Sequence, residues 1–240
     1  MTTATAFLEE LHALQSDEEL EKYQTRFGFE KAEQPDDHYF IGVRMGEIFD
    51  LANVSIDMNP AEIETLLESP IHEARVGAVS IMDWQARRAA TPEERRRELY
   101  ELFLRRHDRI DQWDLVDRAA PHVIGGYLFE FEQPTDVLAE LAQSDDVYQR
   151  RTAIYSTSYA IRQGAYDLTF DIAERLLDDD EESIQKAVGG WLREIGKRDP
   201  DRLSQFLDRH AAQMTPLALG HATKYLDEGR QDHYRNEATT

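Results

Sequence analysis

The chain reads as an all-α solenoid of paired helices. Three observations predict this class. Apolar residues recur at helical spacing almost from end to end, and no stretch alternates convincingly as a strand. Similar segments return at a period of about 37 residues, as in repeat architectures. The 240 residues include no cysteine, so stability must come from a packed core rather than from disulfides or thiolate metal sites.

In chain order, residues 4–15 and 17–27 read as amphipathic helices, the second capped by Ser16-Asp17. Gly28 to Asp37 is a break. His38-Tyr-Phe-Ile-Gly-Val-Arg44 leads into a helix near Met45 to Ala52. Asn59-Pro60-Ala61-Glu62 opens a short helix that ends near Ser69-Pro70. Residues 71–88 are helical, with Val76, Val79, Ile81 and Met82 among the apolar positions. Thr91-Pro92-Glu93-Glu94 starts the next, with Pro92 as first helical residue, and it runs to about Arg106. Helices follow near 111–129, 134–143, 145–162, 166–178, 181–197, 200–210 and 215–226. Residues 1–227 thus form a single solenoid domain, and 228–240 a polar, frayed tail.

The repeat is visible in the residues. Arg75-Val-Gly-Ala78-Val79 resembles Arg150-Arg-Thr-Ala153-Ile154, about two periods later. Val147-Tyr-Gln149-Arg150 resembles Ser183-Ile-Gln185-Lys186, about one period later. Helix pairs of this length fit a HEAT-type solenoid, whose inner helices line a concave surface. Trp113, Asp117, Arg151 and the Trp191 region are placed on successive inner helices.

Composition narrows the partners. The net charge is -21, but 10 of the 22 arginines fall within residues 75–118, and there are only 5 lysines. Arginine favours bidentate contacts with phosphate or carboxylate. An acidic, lysine-poor surface also fits a host with high internal salt, where at about 1 M the Debye length is roughly 3 Å; an ordinary acidic protein is the alternative. There is no leader-like segment and no long apolar run, so the chain reads as intracellular and cytoplasmic, without a membrane.

Within Asp111-Gln-Trp-Asp-Leu-Val-Asp117-Arg-Ala-Ala-Pro121, Trp113 and Asp117 stand at i and i+4 and share a helix face. Val116, Ala119 and Ala120 can pack behind them. A ring beside a carboxylate suits a flat ligand that is cationic or becoming so. The same spacing also fits a helix start, with Asp111 or Asp114 near the N-terminus and a core tryptophan. Elsewhere the histidines His38, His72, His107, His122, His210 and His221 lack ligand spacing, and neither a metal site nor a cofactor is expected. Trp84 reads as core, and Tyr127, Phe129 and Phe131 as packing. Arg95-Arg-Arg97, Arg105-Arg106 and Arg109 fit either a phosphate track or pairing with Glu93, Glu98 and Glu101.

Asp111 to Pro121, Tyr148-Gln-Arg-Arg151-Thr-Ala-Ile154 and Ile184-Gln-Lys-Ala-Val-Gly-Gly-Trp-Leu-Arg-Glu194 together resemble the signature segments of the AlkD family of HEAT-like-repeat DNA glycosylases. Phe40-Ile-Gly-Val-Arg44 is similar to that family's N-terminal segment, and Asp199-Pro200 and Thr215-Pro-Leu217 fall where it has its last repeat. The resemblance covers roughly residues 38–226. It implies a monofunctional, monomeric enzyme that excises cationic N3- and N7-alkylated purines from duplex DNA without a cofactor. By match, Trp113, Asp117 and Arg151 are the active-site residues. Asp117 would stabilise the cationic sugar and orient or deprotonate water, Trp113 would cover the sugar or base, and Arg151 would hold a phosphate. Arg44, Arg150 and Lys186 are read as further DNA contacts. The chain departs from the family where Gly190 replaces a second active-site tryptophan and Trp191 follows one place later, a rotation of about 100° on a helix. Ala218-Leu-Gly-His221 also stands where the family often has basic residues. Two rival readings follow: a non-catalytic member that binds distorted or branched DNA, and a HEAT-type protein-interaction scaffold.

Overall fold

The computed structural model describes residues 2–28 and 38–237. The fold is all-α, in helical repeats of the solenoid type; among the described residues the one β feature is an isolated bridge between Tyr39 and Ile71. The sequence reads 1–227 as one domain, whereas contacts group the chain into two compact units, Met1–Tyr127 and Leu128–Thr240.

The first unit holds α1 (Ala4–Ala13), α2 (Asp17–Phe27), α3 (Met45–Val54), α4 (Pro60–Leu67), α5 (His72–Arg87), α6 (Glu93–Arg105) and α7 (Trp113–Ala120). Helix α5 is its hub. Every residue of α5 except Trp84 and Arg87 is buried, and α3, α4 and α7 pack on it. An exposed helix would show one polar face; α5 instead carries polar side chains inward against partners, among them Gln85, which donates to the Met58 carbonyl at 2.7 Å. Helix α4 starts as its sequence dictates, with the Asn59 side chain accepting from the Glu62 amide and Pro60 at the first turn. Before α6 the expectation shifts by one residue: Pro92 is the cap and Glu93 the first helical position.

The continuous helix expected near 111–129 is interrupted. α7 ends at Ala120, and Pro121–Gly126 is wound as a π-helix that leads into α8 (Tyr127–Glu130). Pro121 has no N–H to reach back to the carbonyl of residue 117, so the regular ladder cannot continue through it.

The second unit continues with α9 (Asp136–Leu141), α10 (Val147–Ser156), α11 (Ser158–Arg162), α12 (Asp167–Glu174), α13 (Glu182–Gly196), α14 (Pro200–His210), α15 (Pro216–Ala222) and α16 (Glu228–Glu237). Helix α13 is the hub here, with α10, α12, α14 and α15 against it. Asp199 and Thr215 cap α14 and α15 through their side chains, each followed by proline. The expected helix over 145–162 is split at Thr157, whose hydroxyl donates to the Ile154 carbonyl. The segment read as a frayed tail carries α16, in which Tyr234 is 3% exposed and donates to Asp208 at 2.8 Å; residues 238–240 lie outside the described residues. One aromatic ring in a polar segment supplies the apolar contact that composition hides. The break read over 28–37 begins at Gly28, which ends α2 in a left-handed conformation; the remainder lies outside the described residues.

Candidate active site and basic cavity

In the first unit, α7 is fixed from behind by its own sequence pattern. Leu115, Val116, Ala119 and Ala120 are fully buried, which leaves Trp113 and Asp117 partly exposed on the other face. Two polar contacts hold α7 and the residues just before it to α5. Asp114 meets His72 Nε2 at 2.8 Å, and Asp111 accepts from Arg75 Nη1 at 2.7 Å. Arg75 is fully buried, and burial lowers its pKa while Asp111 holds it up. The Asp residues that fit helix-start duties therefore act as tethers, and Gln112 takes the cap position.

A cavity of about 230 Å³ is lined by Trp113, Asp114, Asp117, Arg118, Arg26, Met45, Phe49 and Val76. The i, i+4 pair thus faces one space, as the spacing predicts. The Trp113 ring is already engaged. Phe27 stacks on it at 5.9 Å, and the Arg26 guanidinium lies 4.9 Å from its centroid. The Arg26 guanidinium thus sits where a cation–π contact is made.

Arg118 was missed by sequence reasoning. Its Nη1 lies 3.1 Å from Asp83, its Nε donates to Ser80 at 3.1 Å, and it sits over Phe49 and Trp84. Asp83 is fully buried and also accepts from His122 Nδ1 at 2.7 Å. No spacing signals this cluster, because its members are about forty residues apart and meet only by packing of α5 on α7 and the π segment. Trp84 is half-buried against Arg87 and Arg118 rather than sealed in the core.

In the second unit, Arg151 is 7% exposed, donates to the Ser183 carbonyl at 3.2 Å and to the Tyr155 hydroxyl at 2.7 Å, and lies over the Tyr155 ring. Tyr155 in turn meets Trp191 edge-on, with centroids 5.4 Å apart. Gly190 and Trp191 line a cavity of about 570 Å³ together with Tyr155, Lys186 and Arg193. The one-residue displacement therefore does not turn Trp191 away from the Gly190 face. Trp113 and Asp117 share a cavity in the first unit, and Arg151, Tyr155 and Trp191 form one chain of contacts in the second.

The remaining cationic expectations divide. Arg44 is exposed at the start of α3, and Lys186 is half-exposed and pairs with Glu182 at 2.8 Å. Arg150 is engaged within the fold. Its Nε and Nη2 bind Asp179 at 2.7 and 3.3 Å, and its Nη1 donates to the Ser144 and Asp145 carbonyls, so it closes a turn inside the fold. Arg105 and Arg106 bind Glu64 of α4, and Arg109 donates to the carbonyls of Leu67, Glu68 and Ser69. Asp108 and Glu68 hold the Arg106 pKa well above its ordinary value. Arg105, Arg106 and Arg109 pair across helices and staple α6 and the turn after it to α4 and the residues that follow it, whereas Arg95 pairs along α6 with Glu98 at 3.1 Å, as the spacing suggested. Among the described residues no group of three His, Asp or Glu side chains is placed to hold a metal, and no helix is long and apolar enough to cross a membrane.

Comparison with known proteins places these groups in context. A family model described as DNA alkylation repair enzyme matches residues 7–226. A solved structure from Enterococcus faecalis, described as a predicted DNA alkylation repair enzyme, superposes with a TM-score of 0.68 at 18% identity, covering 89% of this chain and 97% of that one. No curated protein matches the chain.

Proposed function

The chain belongs to the DNA alkylation repair enzyme family, and from that premise we propose that it is a monofunctional glycosylase that releases N3- and N7-alkylated purines from duplex DNA. The observation that carries this reading is the shared cavity of Trp113 and Asp117, in which the ring already holds a cation.

The chemistry suits these groups. Alkylation at N3 or N7 gives the purine a positive charge, so it leaves as a neutral base and needs no protonation. When the C1′–N bond breaks, its electron pair goes to the purine and positive charge develops on the sugar. Asp117 stabilises that charge and receives a proton from the water that forms the new C1′–O bond. The products are the free alkylpurine and an abasic site. Trp113 offers its face to the cationic base or sugar once Arg26 yields that place. Arg151, held by Ser183 and Tyr155, is assigned to a DNA phosphate, with Arg44 and Lys186 as backbone contacts. Arg150 has no part in this proposal. The protein acts as a monomer.

Release of N7-methylguanine from a duplex tests the reading. Wild type should release the base, and Asp117→Asn should lose at least about a hundredfold in rate while still binding the duplex, since a carboxylate-specific charge is removed at constant shape. Binding without release by the wild type would instead favour recognition of distorted DNA.

A further inference from the structure

Arg26 and Arg118 both line the cavity of Trp113 and Asp117, and they are held there very differently. Arg118 is largely buried and fixed: its Nη1 lies 3.1 Å from Asp83, and its Nε donates to Ser80 at 3.1 Å. Arg26 stands near the end of α2 and is exposed. Its guanidinium lies 4.9 Å from the Trp113 centroid and 5.7 Å from that of Phe27, and no carboxylate holds it among the described residues. Elsewhere in the same unit Arg75, Arg88 and Arg106 are each paired with an acid.

The helix that carries Arg26 is anchored. Tyr23 donates to the Val43 carbonyl at 2.6 Å, and Phe27 packs against Phe40, His72 and Trp113. The backbone at Arg26 is therefore fixed beside the indole, while its side chain is kept there by attraction to a ring face. At an exposed place that attraction is worth a factor of about two to five in an equilibrium constant. Such a contact exchanges easily. A guanidinium is also the group that phosphate oxygens bind in a fork, so a bound polyanion offers Arg26 another place without any movement of α2.

We propose that Arg26 is a displaceable self-ligand of Trp113, which holds the place of the cationic sugar in the free protein and yields it to a sugar that carries positive charge. The inference rests on the glycosylase reading and adds to it a residue that sets the charge preference of the site. A neutral sugar gains nothing on the ring face that would repay removal of the guanidinium, so Arg26 stays. A cationic sugar repays that cost through Trp113 and Asp117, and its charge drives the guanidinium toward the DNA backbone. Until then, an indole beside the carboxylates of Asp114 and Asp117 is closed to small cations by a cation of the chain itself.

Two duplexes test this, identical except that one deoxyribose is replaced by a pyrrolidine, cationic at neutral pH, or by a neutral tetrahydrofuran. The readout is the ratio of their dissociation constants, in which the phosphate contacts common to both cancel. In Arg26→Gln the ratio should move about two- to fivefold further toward the pyrrolidine duplex, because in the wild type only the cationic sugar has to expel Arg26. Arg26→Lys keeps a cation beside the ring and should stay near the wild-type ratio. Arg26 is exposed, and an unchanged thermal midpoint confirms that both variants are folded. An unaltered ratio in Arg26→Gln overturns the proposal, since a residue that only contacts phosphate weakens both duplexes equally. A ratio moved toward tetrahydrofuran, an equal shift in Arg26→Lys, or no binding of either duplex by the wild type overturns it as well. N7-methylguanine release is measured on the same preparations. Release with an unaltered ratio sinks the Arg26 proposal alone, whereas a shifted ratio without release sinks the glycosylase reading alone.

Discussion

Glu73 has no exposed surface, yet three backbone amides converge on its carboxylate: Gly42 at 2.8 Å, Ile41 at 3.1 Å and Val43 at 3.3 Å. Burial pushes its pKa up, against the pull of those N–H groups. The side chain does for the 41–43 segment what a cap does for a helix end: it satisfies donors that water cannot reach. Glu73→Gln keeps an acceptor for Gly42 and Val43. Glu73→Ala keeps none, and leaves each buried amide to its own desolvation penalty of about 1–3 kcal/mol. Urea unfolding should therefore show Glu73→Ala destabilised by about 2–5 kcal/mol and Glu73→Gln by clearly less. Equal losses in the two variants would mean that packing, not hydrogen bonding, is the role of the residue. The His72–Asp114 and Arg75–Asp111 pairs follow the same logic on the same helix, and they set the direction of α7 and so of Trp113 and Asp117.

At the scale of elements, adjacent glycines on α13 face opposite demands. Gly189 lies against α15, where an added methyl must displace the Ala218 backbone; Gly190 faces open space. Gly189→Ala should cost about 1–3 kcal/mol through overpacking. Gly190→Ala should be neutral or stabilising by up to about 1 kcal/mol, since alanine has the higher helix propensity. Thermal unfolding of the two variants side by side checks the sign, and destabilisation by Gly190→Ala would show that the hollow is tighter than the geometry implies. The contrast marks what a sequence conveys. Two glycines in a row look alike there, and only the packing of α15 separates them. A helix whose start signal is local was legible, as at Asn59-Pro60, because the signal and the structure lie within one turn; Asp199-Pro200 and Thr215-Pro216 carry the same signal, which the sequence reading did not use. The apolar backing of Trp113 and Asp117 was legible through helical periodicity for the same reason. The Asp83, Arg118 and His122 cluster, the staple of Arg105 and Arg106 to α4, and the docking of Tyr234 were not, since each joins distant segments. The π segment after α7 had a local cause in Pro121, but a proline also fits a simple helix end, so the winding had to be seen.

At the scale of the whole molecule, charge works against itself. The chain carries 48 acidic and 27 basic side chains, and many of the arginines are already paired with acids across helices. Salt acts on this arrangement in two opposed ways. It weakens exposed ion pairs, which contribute at most about 1 kcal/mol each and often nothing measurable. It also screens the repulsion among the acids that have no cation, and there the excess of 21 negative charges sets the scale. The pairs that matter most, Asp83 with Arg118, Asp179 with Arg150 and Asp114 with His72, have at least one nearly buried member and are screened least. Relief of repulsion should therefore win. Between about 0.05 M and 1 M sodium chloride, the Debye length falls from beyond 10 Å to roughly 3 Å, and the thermal midpoint should rise by several degrees, about 2–4 °C for each kcal/mol gained in a protein of this size. DNA binding should move the other way, losing affinity with a slope of about -0.9 for each phosphate neutralised. A midpoint that is flat or falls with salt would show that the acidic surface is already balanced by its ion pairs. A rising midpoint with a falling affinity would mean that stability and substrate capture peak at different salt concentrations, and that a duplex held at high salt must be held by stacking and shape.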